Sequence, residues 1–156
     1  MIKPKKIIIY DKTLQEELYN LAKKIVLKRI KYTSGIIKAN IFGSVIKRQL
    51  GIYDGLYDNK RWGSDIDVTC LVNSKFKAPK KWKLVRKMKA FDIYDVDALE
   101  NYLEMLGKRK KPLHPIKFLI FNPEIHDLKE AKEWSAIDEK YSKKQGWSVE
   151  TWFNSK

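Results

Sequence analysis

One cysteine in 156 residues, Cys70, leaves no partner for an intramolecular disulfide. Two histidines, His114 and His126, are too few for a His-based metal cage, and no Cys/His set has zinc spacing. No apolar run approaches the ~20 residues that a bilayer span requires. The basic opening Met-Ile-Lys-Pro-Lys-Lys-Ile-Ile-Ile-Tyr is too short in its apolar part for a secretory leader and lacks a small-residue cleavage site. A soluble, cytoplasmic protein without a membrane partner is expected. Seven glycines and five prolines form no linker, no repeat stands out, and a single domain over residues 1–156 is expected.

Positive charge is what the chain has in excess. Lys and Arg total 33 against 19 Asp and Glu, a net charge of +14. Such a surplus suits polyanionic company, nucleic acid or nucleotides among them. Only five of the basic residues are Arg, so a Lys-rich solvated surface accounts for the same number.

Residues 2–10 read as an extended arm or edge strand. Thr13-Leu14-Gln15-Glu16 has the form of a capping box, and Leu14, Leu18, Leu21, Ile25 and Val26 recur at helical spacing, which predicts a helix over 14–30. Residues 36–42 read as a strand that ends on Gly43-Ser44. Turn formers crowd 45–64, so a short helix followed by a long loop is expected. Residues 66–72 make a nearly continuous apolar strand. Pro79 opens a basic helix to Lys89, with Trp82, Val85 and Met88 as its apolar stripe. Residues 91–94 give a third strand, Asp97 caps a helix to Leu106, residues 116–121 give a fourth strand, and Pro123 opens a final helical region. The sum is an α/β (α+β) domain: a small mixed sheet of about four strands with flanking helices.

Asp65 and Asp67 open the strand over 66–72. Strand side chains alternate, so both project to one side, about 7 Å apart. Two like charges there repel unless a cation lies between them, and carboxylates suit Mg²⁺, which takes one or two of them plus waters and substrate phosphates. A solvated strand start made of two turn-favouring residues would look the same. Gly43-Ser44, between a strand and a helix start, offers backbone N–H groups and a hydroxyl that suit phosphate oxygens. An ordinary strand-to-helix turn capped by Ser44 is the competing reading.

Taken together, Ile41-Phe42-Gly43-Ser44 and Ser64-Asp65-Ile66-Asp67-Val68 resemble the signature of the DNA polymerase β-type nucleotidyltransferase superfamily, in its minimal members. The likeness spans about residues 14–106 and rests on three short patches, the third being residues 91–99. It implies a polymerase β-like fold and transfer of a nucleoside monophosphate from an NTP, ATP being favoured, to an acceptor hydroxyl with release of pyrophosphate. It implies two Mg²⁺ ions, with Mn²⁺ as the alternative, held by Asp65, Asp67 and Asp92. Asp95 rivals Asp92, because a one-residue register change would exchange their faces. Gly43 and Ser44 would hold the terminal phosphates, helped by Lys47 and Arg48, for which a plain solvated helix face is the competing reading. Twenty residues separate Ser44 from Asp65, more than is usual in minimal members. The excess lies in residues 50–62, whose Tyr53, Tyr57 and Trp62 are candidates for base stacking.

Residues 75–89 carry eight Lys or Arg and no acid: Lys75, Lys77, Lys80, Lys81, Lys83, Arg86, Lys87 and Lys89. Lys108, Arg109, Lys110 and Lys111 add a second block. Facing one way, the two would track the phosphates of an RNA or other polyanionic acceptor. A non-catalytic RNA- or partner-binding (antitoxin-like) module on the same fold is the alternative, and minimal members often work beside a helical protein partner; a homodimer is a further option. Cys70, on the strand face opposite Asp65 and Asp67, should be a buried, inert thiol. His114 is expected to be structural and His126 to lie at the surface.

Overall fold

The computed structural model describes residues 6–53, 63–102 and 114–155. Tyr57, Trp62, Leu106 and the block Lys108, Arg109, Lys110 and Lys111 lie outside them. The amphipathic stripe near the N-terminus forms α1 (Lys12–Lys31), a 20-residue helix. Asp11, not Thr13, is its cap: the Asp11 carboxylate accepts the Leu14 N–H at 2.8 Å. Lys28, Arg29 and Lys31 in the last turn complement the helix dipole. Leu18, Leu21, Ala22, Ile25, Val26 and Ile30 are buried along one face. Gln15 is buried among them and fully used. Its Nε2 donates to the carbonyls of Tyr10 and Leu50 at 3.1 and 2.8 Å, and its Oε1 accepts the Leu50 N–H at 2.9 Å.

That face packs on a six-stranded mixed sheet. Its strands are β2 (Ile36–Phe42), β4 (Ile66–Val72), β5 (Lys83–Lys87), β6 (Asp92–Ala98), β7 (Pro115–Phe121) and β8 (Val149–Asn154), in the order β5-β6-β7-β4-β2-β8. Only β4 and β7 pair in parallel. A second sheet of two antiparallel strands joins β1 (Lys6–Ile9) to β3 (Gly51–Tyr53). The chain is therefore a mixed α+β domain with more strands than the four expected.

Alternation sorts the sheet's side chains into two layers. Ile66, Val68, Cys70, Ile116, Phe118 and Ile120 join α1 in the main core. Leu119 and Phe121 face the other way, into a smaller cluster with Phe91 and Ala131. That second cluster is covered by α2 (Leu128–Trp134) and by Ile137 in the link to α3 (Glu139–Lys144). Two buried polar residues seat this cover: Asn40 Nδ2 donates to the Ala136 carbonyl at 2.8 Å, and Thr69 Oγ1 accepts the Ala136 N–H at 3.2 Å. Cys70 is fully buried, and burial pushes its thiol well up.

Two expected helices are replaced, and the one expected from Asp97 to Leu106 lies partly outside the described residues. Residues 83–87 form strand β5, exposed throughout, in a hairpin with β6. Lys83 lies opposite Asp95 and Lys87 opposite Asp92, cross-strand charge pairs that a helix would forgo. Trp82 is buried 5.0 Å from the Phe118 ring, while Val85, expected on the same stripe, is 48% exposed. After β6 there is one 3₁₀ turn, Leu99–Asn101, and Asp97 belongs to the strand before it. After Gly43-Ser44 the chain makes a hydrogen-bonded turn instead of a short helix. The final helical region does form, as α2 and α3, and then returns as the unexpected edge strand β8. No helix among the described residues is long and apolar enough to cross a membrane.

Candidate functional site

The site begins where β2 and β4 end side by side. Phe42 is directly opposite Asp67 in their antiparallel pairing, so Gly43-Ser44 leaves the sheet beside the carboxylates. Gly43 has φ of +92°, a left-handed conformation that a Cβ would strain, and a Cβ built there would meet nothing within 4 Å. The turn that follows is closed by Lys47 N–H to the Gly43 carbonyl at 3.1 Å and Gln49 N–H to the Ser44 carbonyl at 2.8 Å. Val45 and Leu50, both fully buried, pin its two ends.

Lys47 is exposed, but Arg48 is drawn away from the site. Its Nε donates to Glu16 Oε1 at 2.9 Å, and its guanidinium lies 3.7 Å from the Tyr19 ring centroid. Arg48 itself has φ of +56°, and these contacts offset the roughly 1–2 kcal/mol such a backbone costs. The structure thus uses Arg48 to hold the turn against α1.

The start of β4 is fixed by buried polar contacts. Ser64 N–H donates to the Gly51 carbonyl at 3.0 Å, and Gly51 N–H donates to Ser64 Oγ at 3.0 Å. His114 is buried behind them, as a structural residue should be. Its Nδ1–H donates to the Ser64 carbonyl at 2.9 Å, and its Nε2 accepts the Tyr10 hydroxyl at 2.7 Å. Burial pushes the Tyr10 phenol up to about 12. Gly63 is required by this packing, since a Cβ there would collide with the His114 ring.

From this frame Asp65 and Asp67 project together on the face away from α1. Asp67 is in register with Lys117 on β7, and Lys117 with Asp95 on β6, so these three side chains form one row. Lys117 Nζ is 3.7 Å from Asp65 Oδ2. One Oδ1 of this group, that of Asp95, is buried with no hydrogen-bond partner among the described residues. Burial, and then the charge of Asp65, push Asp67 up to about 6, against the pull of Lys117. Asp65 is raised too, by burial and by Asp95, again against Lys117. The Tyr53 phenol is raised by burial and then by the charges of Asp65 and Asp67, which puts it at the rim of the same cluster. Phe42, stacked on Trp147 with ring centroids 5.7 Å apart, forms the apolar side.

Asp92 is not part of this group. It is in register with Ile120, three residues and about 10 Å along β6 from Asp95. Its Oδ1 faces His126 Nε2 at 3.2 Å. His126 is buried, not at the surface as expected, because residues 122–126 fold into a tight turn that turns the ring inward against Phe121. Its Nδ1 accepts the Asn122 N–H at 2.9 Å, while its buried Nε2 makes no hydrogen bond among the described residues and only approaches Asp92. Sequence reasoning passed over Lys117 altogether. The only local signal is a lysine inside the otherwise apolar run Pro115-Ile116-Lys117-Phe118-Leu119-Ile120-Phe121.

Among the described residues no group of three or more His, Cys, Asp or Glu could hold a metal ion by itself. The donor chemistry nonetheless fits Mg²⁺ in its usual manner, one or two carboxylates with the remaining positions given to waters and substrate phosphates. A surface cleft of about 640 Å³ between the far end of β4 and α2–α3 shares no residue with the carboxylates. Both of its acids are already paired, in Lys38–Glu139 and Lys132–Asp138, which leaves only lysines in excess, so the carboxylate cluster is the stronger candidate for a cation-dependent site. Comparison with family models, with curated proteins and with solved structures finds no match to this chain.

Proposed function

We propose that the chain is a metal-dependent nucleotidyltransferase of the DNA polymerase β type, moving a nucleoside monophosphate from an NTP to an acceptor hydroxyl. The observation that carries the reading is one geometry: three carboxylates, Asp65, Asp67 and Asp95, gathered on an open sheet face beside the Gly43-Ser44 turn. Bound divalent ions would supply the charge that stabilises the attacking and leaving oxygens of an in-line displacement. Asp65 and Asp67 would hold such ions. Asp95 takes the place that the resemblance gives to Asp92 and accepts the proton of the attacking hydroxyl. The acceptor oxygen bonds to the α-phosphorus as the bond to the bridging oxygen breaks, and pyrophosphate leaves toward Gly43, Ser44 and the exposed Lys47. Tyr53 borders the nucleotide.

Calorimetric titration of each NTP with Mg²⁺, on wild type and Asp67→Asn, tests this. Mg²⁺-dependent binding that the variant loses is the expected result, and binding that persists unchanged in the variant overturns the metal site. A second reading, a non-catalytic RNA-binding module on the same fold, is favoured by the exposure of all eight basic residues between 75 and 89. It requires salt-sensitive RNA binding that Asp67→Asn leaves intact.

A further inference from the structure

At the level of Asp67 the sheet carries charges of alternating sign: Lys83 on β5, Asp95 on β6, Lys117 on β7 and Asp67 on β4. Directly opposed residues on neighbouring strands stand about 5 Å apart on one face. Lys117 therefore lies between two carboxylates, and its ammonium reaches toward a third, Asp65. Its neighbours Ile116 and Phe118 are fully buried in the main core, so the strand itself is held firmly. The Lys117 side chain is different: it remains 31% exposed, on a stem with four rotatable carbons. One partly exposed cation thus stands among three anions, on the face where a triphosphate would lie.

We propose that Lys117 is an exchangeable counter-cation. In metal-free protein it holds Asp65, Asp67 and Asp95 together; it yields the carboxylates to a divalent ion and then binds a phosphate oxygen of the nucleotide. The proposal rests on the nucleotidyltransferase reading above. It makes the ammonium and the metal competitors for the same oxygens. Metal alone then binds weakly, because the lysine must be displaced into water. Metal with nucleotide binds well, because the displaced ammonium gains a phosphate partner of its own. The device keeps the carboxylates from binding cations unproductively before substrate arrives.

The test compares wild type, Lys117→Gln, Lys117→Arg and Asp67→Asn for binding of Mn²⁺ alone, read by the electron paramagnetic resonance of free Mn²⁺. Binding of Mg²⁺-ATP is then measured on the same proteins by calorimetry. Lys117→Gln should bind Mn²⁺ roughly threefold to tenfold more tightly than wild type and Mg²⁺-ATP roughly tenfold more weakly. Lys117→Arg, which keeps the charge, should follow wild type for Mn²⁺. Thermal melts check folding, and Lys117→Met, which keeps the stem, replaces Lys117→Gln if that variant unfolds. A lysine that only stabilises the fold would lower the melting temperature and leave Mn²⁺ affinity unchanged. That result, with wild-type Mn²⁺ binding lost in Asp67→Asn, overturns the exchange and leaves the nucleotidyltransferase reading standing. Absence of Mn²⁺ binding in every protein, Lys117→Gln included, overturns both.

Discussion

Asp95 and Asp97 stand two residues apart on β6 and live in opposite worlds. In a regular strand they would share a face, but the pairing with β7 shifts between them, and Asp97 falls opposite Ile116, on the α1 side. There its carboxylate is saturated: Arg29 donates from Nε and Nη2 at 3.0 and 2.8 Å, the Tyr102 hydroxyl at 2.8 Å, and Asn101 at 3.1 Å. Burial would raise it, yet hydrogen bonds from Tyr102, Arg29 and the Ala98 N–H hold it below the usual carboxylate range. On the other face Asp65 has a 3.7 Å ion pair with the partly exposed Lys117, while Asp67 and Asp95 stand in register with that lysine on either side. The first arrangement has its charge balanced within the protein; the second is left for something from outside to balance. A carboxylate's solvation and partners separate a structural role from a chemical one better than its residue type does.

Mutating the two ends of this contrast should give opposite signs. The largest effect is expected from Asp67→Asn, which should weaken Mg²⁺-dependent nucleotide binding by more than about 100-fold, as one good charge-assisted contact to a cation is lost along with its neighbour's help. The same variant should be more stable than wild type at neutral pH by about 2 kcal/mol, measured by urea denaturation. Asp67 titrates near 6 in the folded protein and near 4 when unfolded, so wild type loses stability as pH rises from about 4 to about 6. Asp67→Asn should lack that loss.

Asp97→Asn should do the reverse, losing about 2 kcal/mol of stability while leaving nucleotide binding unchanged. That figure lies below the fully buried case because Arg29 is 34% exposed. Since the Asp97 carboxyl titrates below its unfolded value, its contribution is present above about pH 4 and is lost as the solution becomes more acidic. If Asp97→Asn abolished nucleotide binding and Asp67→Asn destabilised the fold, the division between the two faces would collapse. Gly43→Ala should cost about 1 kcal/mol through its positive φ alone, seen as a lowered melting temperature. The smallest effect is expected from replacing Lys80, Lys81 and Lys83 together. Nucleotide affinity should change less than about twofold, whereas any RNA binding should fall and lose part of its salt dependence.

The parts of the fold that were legible in the sequence are those whose signal is local. The stripe from Leu18 to Ile30 requires α1, and the apolar runs require β4 and β7. The parts that were not legible depend on pairing between distant segments. Trp82, Val85 and Met88 mimic a helical stripe, and only the β6 hairpin makes residues 83–87 a strand. Val149-Glu150-Thr151-Trp152-Phe153-Asn154 has strand composition, but its place beside β2 is decided 107 or more positions earlier in the chain. At the candidate site, the side-by-side placement of Gly43-Ser44 and Asp65/Asp67 follows from two adjacent strands and was readable. The neighbourhood of Asp95 was not, since it depends on the register of β6 against β7, and the face of Asp97 on the irregularity that follows. Lys117 acquires its neighbours through a parallel pairing that no window of sequence contains.

The paired hydrogen bonds between Gly51 and Ser64 close a ring of chain whose two ends meet at the edge of the site. Closing a ring at its neck separates its length from its position: doubling the enclosed segment costs only about 0.6 kcal/mol of chain entropy, and Asp65 need not move. The position of Asp65 is therefore set by the Gly51–Ser64 neck and not by how many residues the chain spends between them.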